Sequence, residues 1–182
     1  TTAIHQNDAK IAVQLCHLGL IMMMVGKPEG AKLPVPSILP WMEPKSDFQE
    51  MSSAEIDHYI QAYADGARRA KDAGFDAVEF HACHGCLIHL FLSPTLNYRT
   101  DEYGGSIEKR ARFAERVIAE TRKQTGPDFP LIFRISGDDI HEKGIKVDEA
   151  AQIAQLLEQA GADAVSVSVA LEFWFPLTIP CY

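Results

Sequence analysis

Two histidines three residues apart, His81 and His84, lie in VEFHACHGCLIHLFL (residues 78–92), interleaved with two cysteines at the same spacing, Cys83 and Cys86. The stretch admits two chemistries. A Cys-x-x-Cys pair at a strand-to-helix turn suits thiol redox work, because a helix N-terminus stabilises a thiolate, or it supplies half of a zinc site. Two imidazoles, one ending a strand and the other in the following turn, can instead aim two N–H groups at one point. Such donors suit an oxyanion developing on a carbonyl or nitro oxygen, each contributing roughly 2–4 kcal/mol in a dry site.

The thiol reading needs more than these two cysteines. Structural zinc requires two further ligands at suitable spacing, and Cys16-His17 and Cys181 form no second close pair. A c-type haem needs histidine directly after the second cysteine, where Leu87 stands. Without such company both cysteines read as small buried filler, and no metal is expected. His17 reads as a residue fixing loop backbone and His89, inside LIHLFL, as structural. His5, His58 and His141 read as isolated surface imidazoles.

The elements that must position these residues follow from periodicity. Residues 11–15 (IAVQL), 77–81, 130–136 (PLIFRIS) and 164–169 (AVSVSV) read as buried strands. Between them lie three amphipathic helices. The first opens at the capping box Ser52-Ser-Ala-Glu55 and stops at Gly74. The second runs from about 106 to 125 and ends at Gly126-Pro127; the third, about 147–160, ends at Gly161. Residues 16 to about 51, rich in proline and glycine, read as loop.

An internal echo, DAGFDAVEF and QAGADAVSV, repeats helix end, glycine, short turn, aspartate and strand. Alternating helices and near-continuously apolar strands imply parallel pairing and an α/β fold. No Gly-x-Gly-x-x-Gly follows a strand, so the expectation is a (β/α)8 TIM-barrel type rather than a dinucleotide-binding sheet. One domain, residues 1–182, is expected, present as a partial barrel.

In barrels, chemistry collects at the C-terminal ends of the strands. Gln14, His81 and Arg134 all sit at or near such ends. An arginine inside LIFRIS is costly to bury unless an anion or strong acceptor meets it. Glu79 is the neighbouring carboxylate that could do so without any ligand.

Bulk composition narrows the rest. The 182 residues are 47% apolar and 23% charged, with a net charge of −8. That describes a soluble globular chain without the basic footprint of a nucleic-acid or anionic-membrane binder. No apolar run approaches the roughly 20 residues of a membrane span. Four cysteines and a polar N-terminus without a signal peptide suggest free thiols in a reducing, cytoplasmic setting.

One long segment resembles a known family. HACHGCLIHLFLSPTLNYRTDEYGGSIEKRARF is similar to the signature of the old yellow enzyme family of FMN-dependent oxidoreductases, with matches at FLSP (91–94), Asn97, Arg99 to Asp101 and Tyr103 to Ser106. KIAVQLCHLG resembles the Gln-Leu-x-His-x-Gly of the family's third strand, and FRISGDD the arginine of its fifth. Residues 173–182 resemble, loosely, a loop of longer members from anaerobic bacteria, some of which carry an iron–sulfur cluster further on.

The resemblance implies roles. Gln14 would hydrogen-bond the pyrimidine edge of FMN, and Arg134 would lie near flavin N1 and O2. His81 and His84 would clamp the oxygen of a small-molecule substrate. Hydride would pass from NAD(P)H to flavin and then to an activated alkene, the reaction of an ene reductase. The RTDEYGGS loop would be scaffold.

The sequence also departs from the pattern. Cys86 stands where the family has a tyrosine that protonates the α-carbon; a thiol can give a proton but is shorter. LIMMM (20–24) stands where a basic residue is expected after Gly19. Only about strands three to six are counted, where a closed barrel has eight. The open edges are expected to meet missing barrel segments or a second copy of the chain. The alternatives are a catalytically incomplete barrel piece that does not bind FMN, and a thiol-redox or zinc site at Cys83 and Cys86.

Overall fold

Ser52 and Glu55 close a reciprocal capping box that starts helix α3. The Ser52 hydroxyl accepts from the Glu55 amide, and Glu55 accepts from the Ser52 amide. The structure is a computed structural model that describes residues 1–169. The loop resemblance noted at 173–182, and Cys181, lie outside those residues.

In chain order the elements are α1 (Thr2–His5), β1 (Ala12–Leu15), α2 (Met22–Val25), β2 (Leu33–Val35), β3 (Phe48–Glu50), α3 (Ser53–Asp72), β4 (Ala77–Ala82), α4 (Leu87–Leu92), α5 (Ile107–Thr125), β5 (Leu131–Ser136), α6 (Val147–Ala160) and β6 (Ala164–Ser168). The three long helices and four main strands stand where periodicity puts them. Residues 16–51 are more ordered than their composition suggests: β2 and β3 pair in parallel as a small separate sheet.

Strands β1, β4, β5 and β6 form one parallel sheet in that order. Neighbours in space are neighbours in sequence, so right-handed crossovers place α3, α5 and α6 on the same side. α3 packs on α5 and α5 on α6. A wall of this kind, with helices outside and one strand face left over, is an arc of a (β/α) barrel. A doubly wound sheet reverses its strand order and places helices on both faces.

The two faces differ in composition. Val78, Phe80, Ala82, Leu131, Phe133 and Ile135 are buried in the core beneath the helices. Residues alternating with them, among them Glu79, His81 and Arg134, are half-buried on the opposite face. Gln14 pairs in register with Glu79, His81 with Arg134, and Arg134 with Ser166.

The sequence echo has a mechanical cause. Asp76, at the start of β4, accepts from the Ile11 amide at 2.9 Å, and Asp163, at the start of β6, accepts from the Leu131 amide at 2.7 Å. Each aspartate thus ties its own strand to the start of the adjacent one. His5 joins the first of these sites, its Nε2 lying 2.7 Å from Asp76 Oδ2, so the expectation of an isolated His5 is corrected.

The RTDEYGGS loop is held internally, as its expected scaffold role requires. The Arg99 guanidinium grips Asp101 and the carbonyls of Pro36 and Met51. Asn97 donates to the carbonyls of Phe91 and Tyr103. Gly104 has Arg99 O only 2.1 Å from where a Cβ would stand, so no larger residue fits that turn.

Candidate functional site

The polar face of the sheet ends in a cluster built by three strands. His81, in β4, and His84, in the turn that follows, have ring centroids 5.2 Å apart at 61°. His84 adopts a left-handed backbone (φ 57°) and is followed by Gly85 at φ 79°. This sharp turn swings the second imidazole back over the first, which a continuing strand would not do.

Arg134, in β5, lies beside His81 in register. Its Nη1 donates to Ser166 Oγ at 3.2 Å and its Nη2 to Ser168 Oγ at 3.4 Å. His84 Nε2 meets the same Ser168 hydroxyl at 2.7 Å. Ser168 therefore links the guanidinium to the second imidazole, while Ser166 meets the guanidinium alone. Glu79, the carboxylate considered as Arg134's partner, accepts from Gln14 Nε2 instead.

The electrostatics keep both rings neutral. Burial, then the proximity of His84 and Arg134, lowers the His81 pKa to about 4. Burial, followed by His89 and Arg134, lowers that of His84. A neutral imidazole presents one N–H donor and one acceptor. The cluster thus offers neutral donors next to one fixed cation, a set that suits an electron-rich oxygen better than a full anion pair.

Cys83 belongs to this cluster and Cys86 does not. His81, Cys83 and His84 each bring one metal-capable atom within 4.8 Å of the others. Burial pushes the Cys83 thiol up to about 12, so it is a protonated thiol rather than a thiolate. With Arg134 alongside, a second cation is repelled. Cys86 is fully buried at the N-cap of α4, with its sulfur 3.2 Å from Cys16 Sγ. The Cys86 sulfur thus lies against the residue that follows β1.

Gln14 stands on the same sheet face two strands from Arg134, with Glu79 between. An amide and a guanidinium on one face fit the carbonyl and ring-nitrogen edge of a pyrimidine. His17 does not join the cluster. Its Nδ1 accepts from the Gly19 amide at 3.1 Å, and its ring packs edge-on to Tyr59.

Sequence reasoning missed Ser166, Ser168 and Asp139. The alternation in AVSVSV did carry the first two, since residues two apart in a strand share a face. Asp139 is buried under the site, where it accepts from His89, Ser93 and the Ile145 amide. Nothing local in the sequence pairs it with His89.

Comparison with known proteins places the chain in a family. Over residues 1–172 the chain matches the NADH:flavin oxidoreductase / NADH oxidase family. An NADPH dehydrogenase of Geobacillus sp. (strain WCH70) is 41% identical over 165 residues, 91% of this chain and 46% of that protein. An NADH oxidase of Thermoanaerobacter brockii is 40% identical over 169 residues, 93% of this chain and 26% of that one.

Among solved structures, a 2-naphthoyl-CoA reductase in complex with 2-naphthoyl-CoA superposes with a TM-score of 0.81 at 32% identity, over 93% of this chain and 27% of its own. Morphinone reductase in complex with tetrahydroNAD gives 0.76 at 30% identity, over 92% and 51%. The chain spans about half, or less, of the length of these relatives. It folds as about strands three to six of their TIM barrel.

Proposed function

The chain belongs to the NADH:flavin oxidoreductase / NADH oxidase family, and from that premise we propose that it forms the substrate-gripping wall of an FMN-dependent ene reductase. The substrate class is an activated alkene, an α,β-unsaturated carbonyl or nitro compound, and the hydride donor is NAD(P)H. The observation that carries this reading is the pair of neutral imidazoles, 5.2 Å apart, beside the Arg134 guanidinium.

FMN, when bound, relays hydride between the nicotinamide and the alkene. The residues present fit its pyrimidine edge: Gln14 supplies an amide, and Arg134 a positive charge that favours an electron-rich ring nitrogen and carbonyl. His81 and His84 donate N–H groups to the substrate oxygen. Polarising that oxygen draws electron density from the β-carbon, and the donors strengthen as negative charge builds on it. We leave Cys86 out of the proton step because its sulfur is buried against Cys16, and we assign the proton on the α-carbon to solvent.

The test uses FMN titration by fluorescence quenching, followed by steady-state reduction of an enone, on the chain and on a form extended at both ends. The extended form is expected to bind FMN and to consume NAD(P)H when enone is added. His81→Ala with His84→Ala is expected to leave FMN binding intact and to lower kcat/KM by roughly 10²–10³. Failure of the extended form to bind FMN, or an unchanged kcat/KM in the double variant, overturns the assignment.

A further inference from the structure

We propose that Cys16 and Cys86 are a redox-closable pair, converted by a small-molecule disulfide into an intramolecular disulfide that ties the end of β1 to the N-cap of α4. This goes beyond the flavin reading and does not depend on it. The two sulfurs are 70 residues apart in sequence and 3.2 Å apart in space. Bond formation at about 2.05 Å requires the sulfurs to close by only about 1.2 Å, the scale of a side-chain adjustment.

The backbone on both sides holds them there. The Leu87 amide donates to His17 O at 3.0 Å, and the Leu20 amide donates to Gly85 O at 3.1 Å. Gly19 passes so near that a Cβ there would stand 2.5 Å from Gly85 O. Residues 17–20 are thus fastened to Gly85 and Leu87, the two residues that flank Cys86. The segments that carry the two sulfurs are therefore held side by side by backbone hydrogen bonds.

The two thiols differ in access. Cys16 is exposed and Cys86 is fully buried. This asymmetry sorts the steps. The Cys16 thiolate attacks one sulfur of oxidised glutathione and releases one glutathione thiolate. Cys86 attacks the Cys16 sulfur as its proton passes to the departing sulfur, so the second glutathione leaves as a thiol. Two protein thiols are oxidised and one disulfide reagent is reduced, so electrons and atoms balance. Cys83 stays outside this exchange, since its sulfur is grouped with the His81 and His84 rings while the Cys86 sulfur lies against Cys16.

The experiment treats the full chain with oxidised glutathione, alkylates what remains, and maps the cysteine peptides by mass spectrometry. The expected result is loss of two thiols, one linked peptide joining Cys16 to Cys86, and full recovery with dithiothreitol. Cys83→Ser is expected to leave that linkage unchanged. In the urea-unfolded chain the same linkage is expected to form at least about tenfold more slowly, because closure then starts from an open loop. A stable glutathione adduct on Cys16 with Cys86 still alkylatable overturns the proposal. So does a linkage through Cys83 or Cys181, no loss of thiols, or equal rates in folded and unfolded chains.

Discussion

His89 donates from Nε2 to Asp139 Oδ1 at 2.9 Å, with both side chains wholly inaccessible to solvent. The ring's other nitrogen, Nδ1, accepts from the Gly85 amide at 2.9 Å. An amide can only donate, so Nδ1 is unprotonated there and the proton sits on Nε2. One ring therefore connects a buried carboxylate to the turn that carries His84. Asp139 also accepts from Ser93 Oγ and the Ile145 amide, so the charge is satisfied three times over.

Replacing His89 with alanine is expected to destabilise the fold by about 3 kcal/mol or more, since it leaves a buried carboxylate short of a partner. Chemical denaturation monitored by circular dichroism measures it. A loss below about 1 kcal/mol would show that the pair is dispensable.

Acid should reveal the same pair. Burial alone would raise the Asp139 pKa from 3.8, but its interactions with His89, the Ile145 amide and Ser93 outweigh that and hold it at about 2. The unfolded chain therefore binds this proton first as pH falls. The stabilising contribution is complete above about 3.8 and drains away as pH drops toward about 2. Asp139→Asn should flatten this part of the stability–pH curve, and denaturation midpoints between pH 5 and 2 test it.

His81 should remain neutral well below the ordinary histidine range, with its ring titrating near pH 4 in place of 6.5. The unfolded chain again takes up its proton first, so stability declines as pH falls from about 6.5 toward about 4. Ring-proton NMR of the folded chain provides the check; a His81 midpoint above 6 would contradict the neutral-donor reading.

Gly19→Ala is expected to cost more than about 2 kcal/mol. Its φ of +55° is unfavourable for an L side chain, and the added Cβ would stand 2.5 Å from Gly85 O and 2.9 Å from Leu87 N. Both neighbours are backbone, so neither can swing aside. Thermal unfolding of the variant beside the parent chain reads the effect.

Much of the architecture was legible because its signals are local. The capping box at Ser52, the glycines after each long helix and the apolar strands act over a few residues, and all stand where the pattern placed them. The short helix α4 hid inside LIHLFL, apolar but for His89; all six of its residues are buried, so it shows no amphipathic period. The site was partly legible for the same reason. His81 and Arg134 announce themselves as polar groups in apolar strands, His84 as a second imidazole in the turn after the first, and the structure brings them together.

What escaped was non-local. The link between Arg134 and Ser168 depends on β5–β6 register, and the His89–Asp139 pair spans 50 residues. Cys86 illustrates a harder case. Its sulfur meets that of Cys16, 70 residues away in sequence, a contact that no spacing within residues 78–92 encodes.

The register that sets His81 opposite Arg134 and Arg134 opposite Ser166 has an evolutionary corollary. Side chains alternate between faces, so one residue inserted in the turn from Gly74 to Ala77 would send His81 under the helices and bring Phe80 or Ala82 out in its stead. The connections entering these strands must therefore keep their length, while those leaving them are free to lengthen and diversify. Loops at that end can be remodelled in such a lineage while His81, Arg134 and Ser166 keep their shared face.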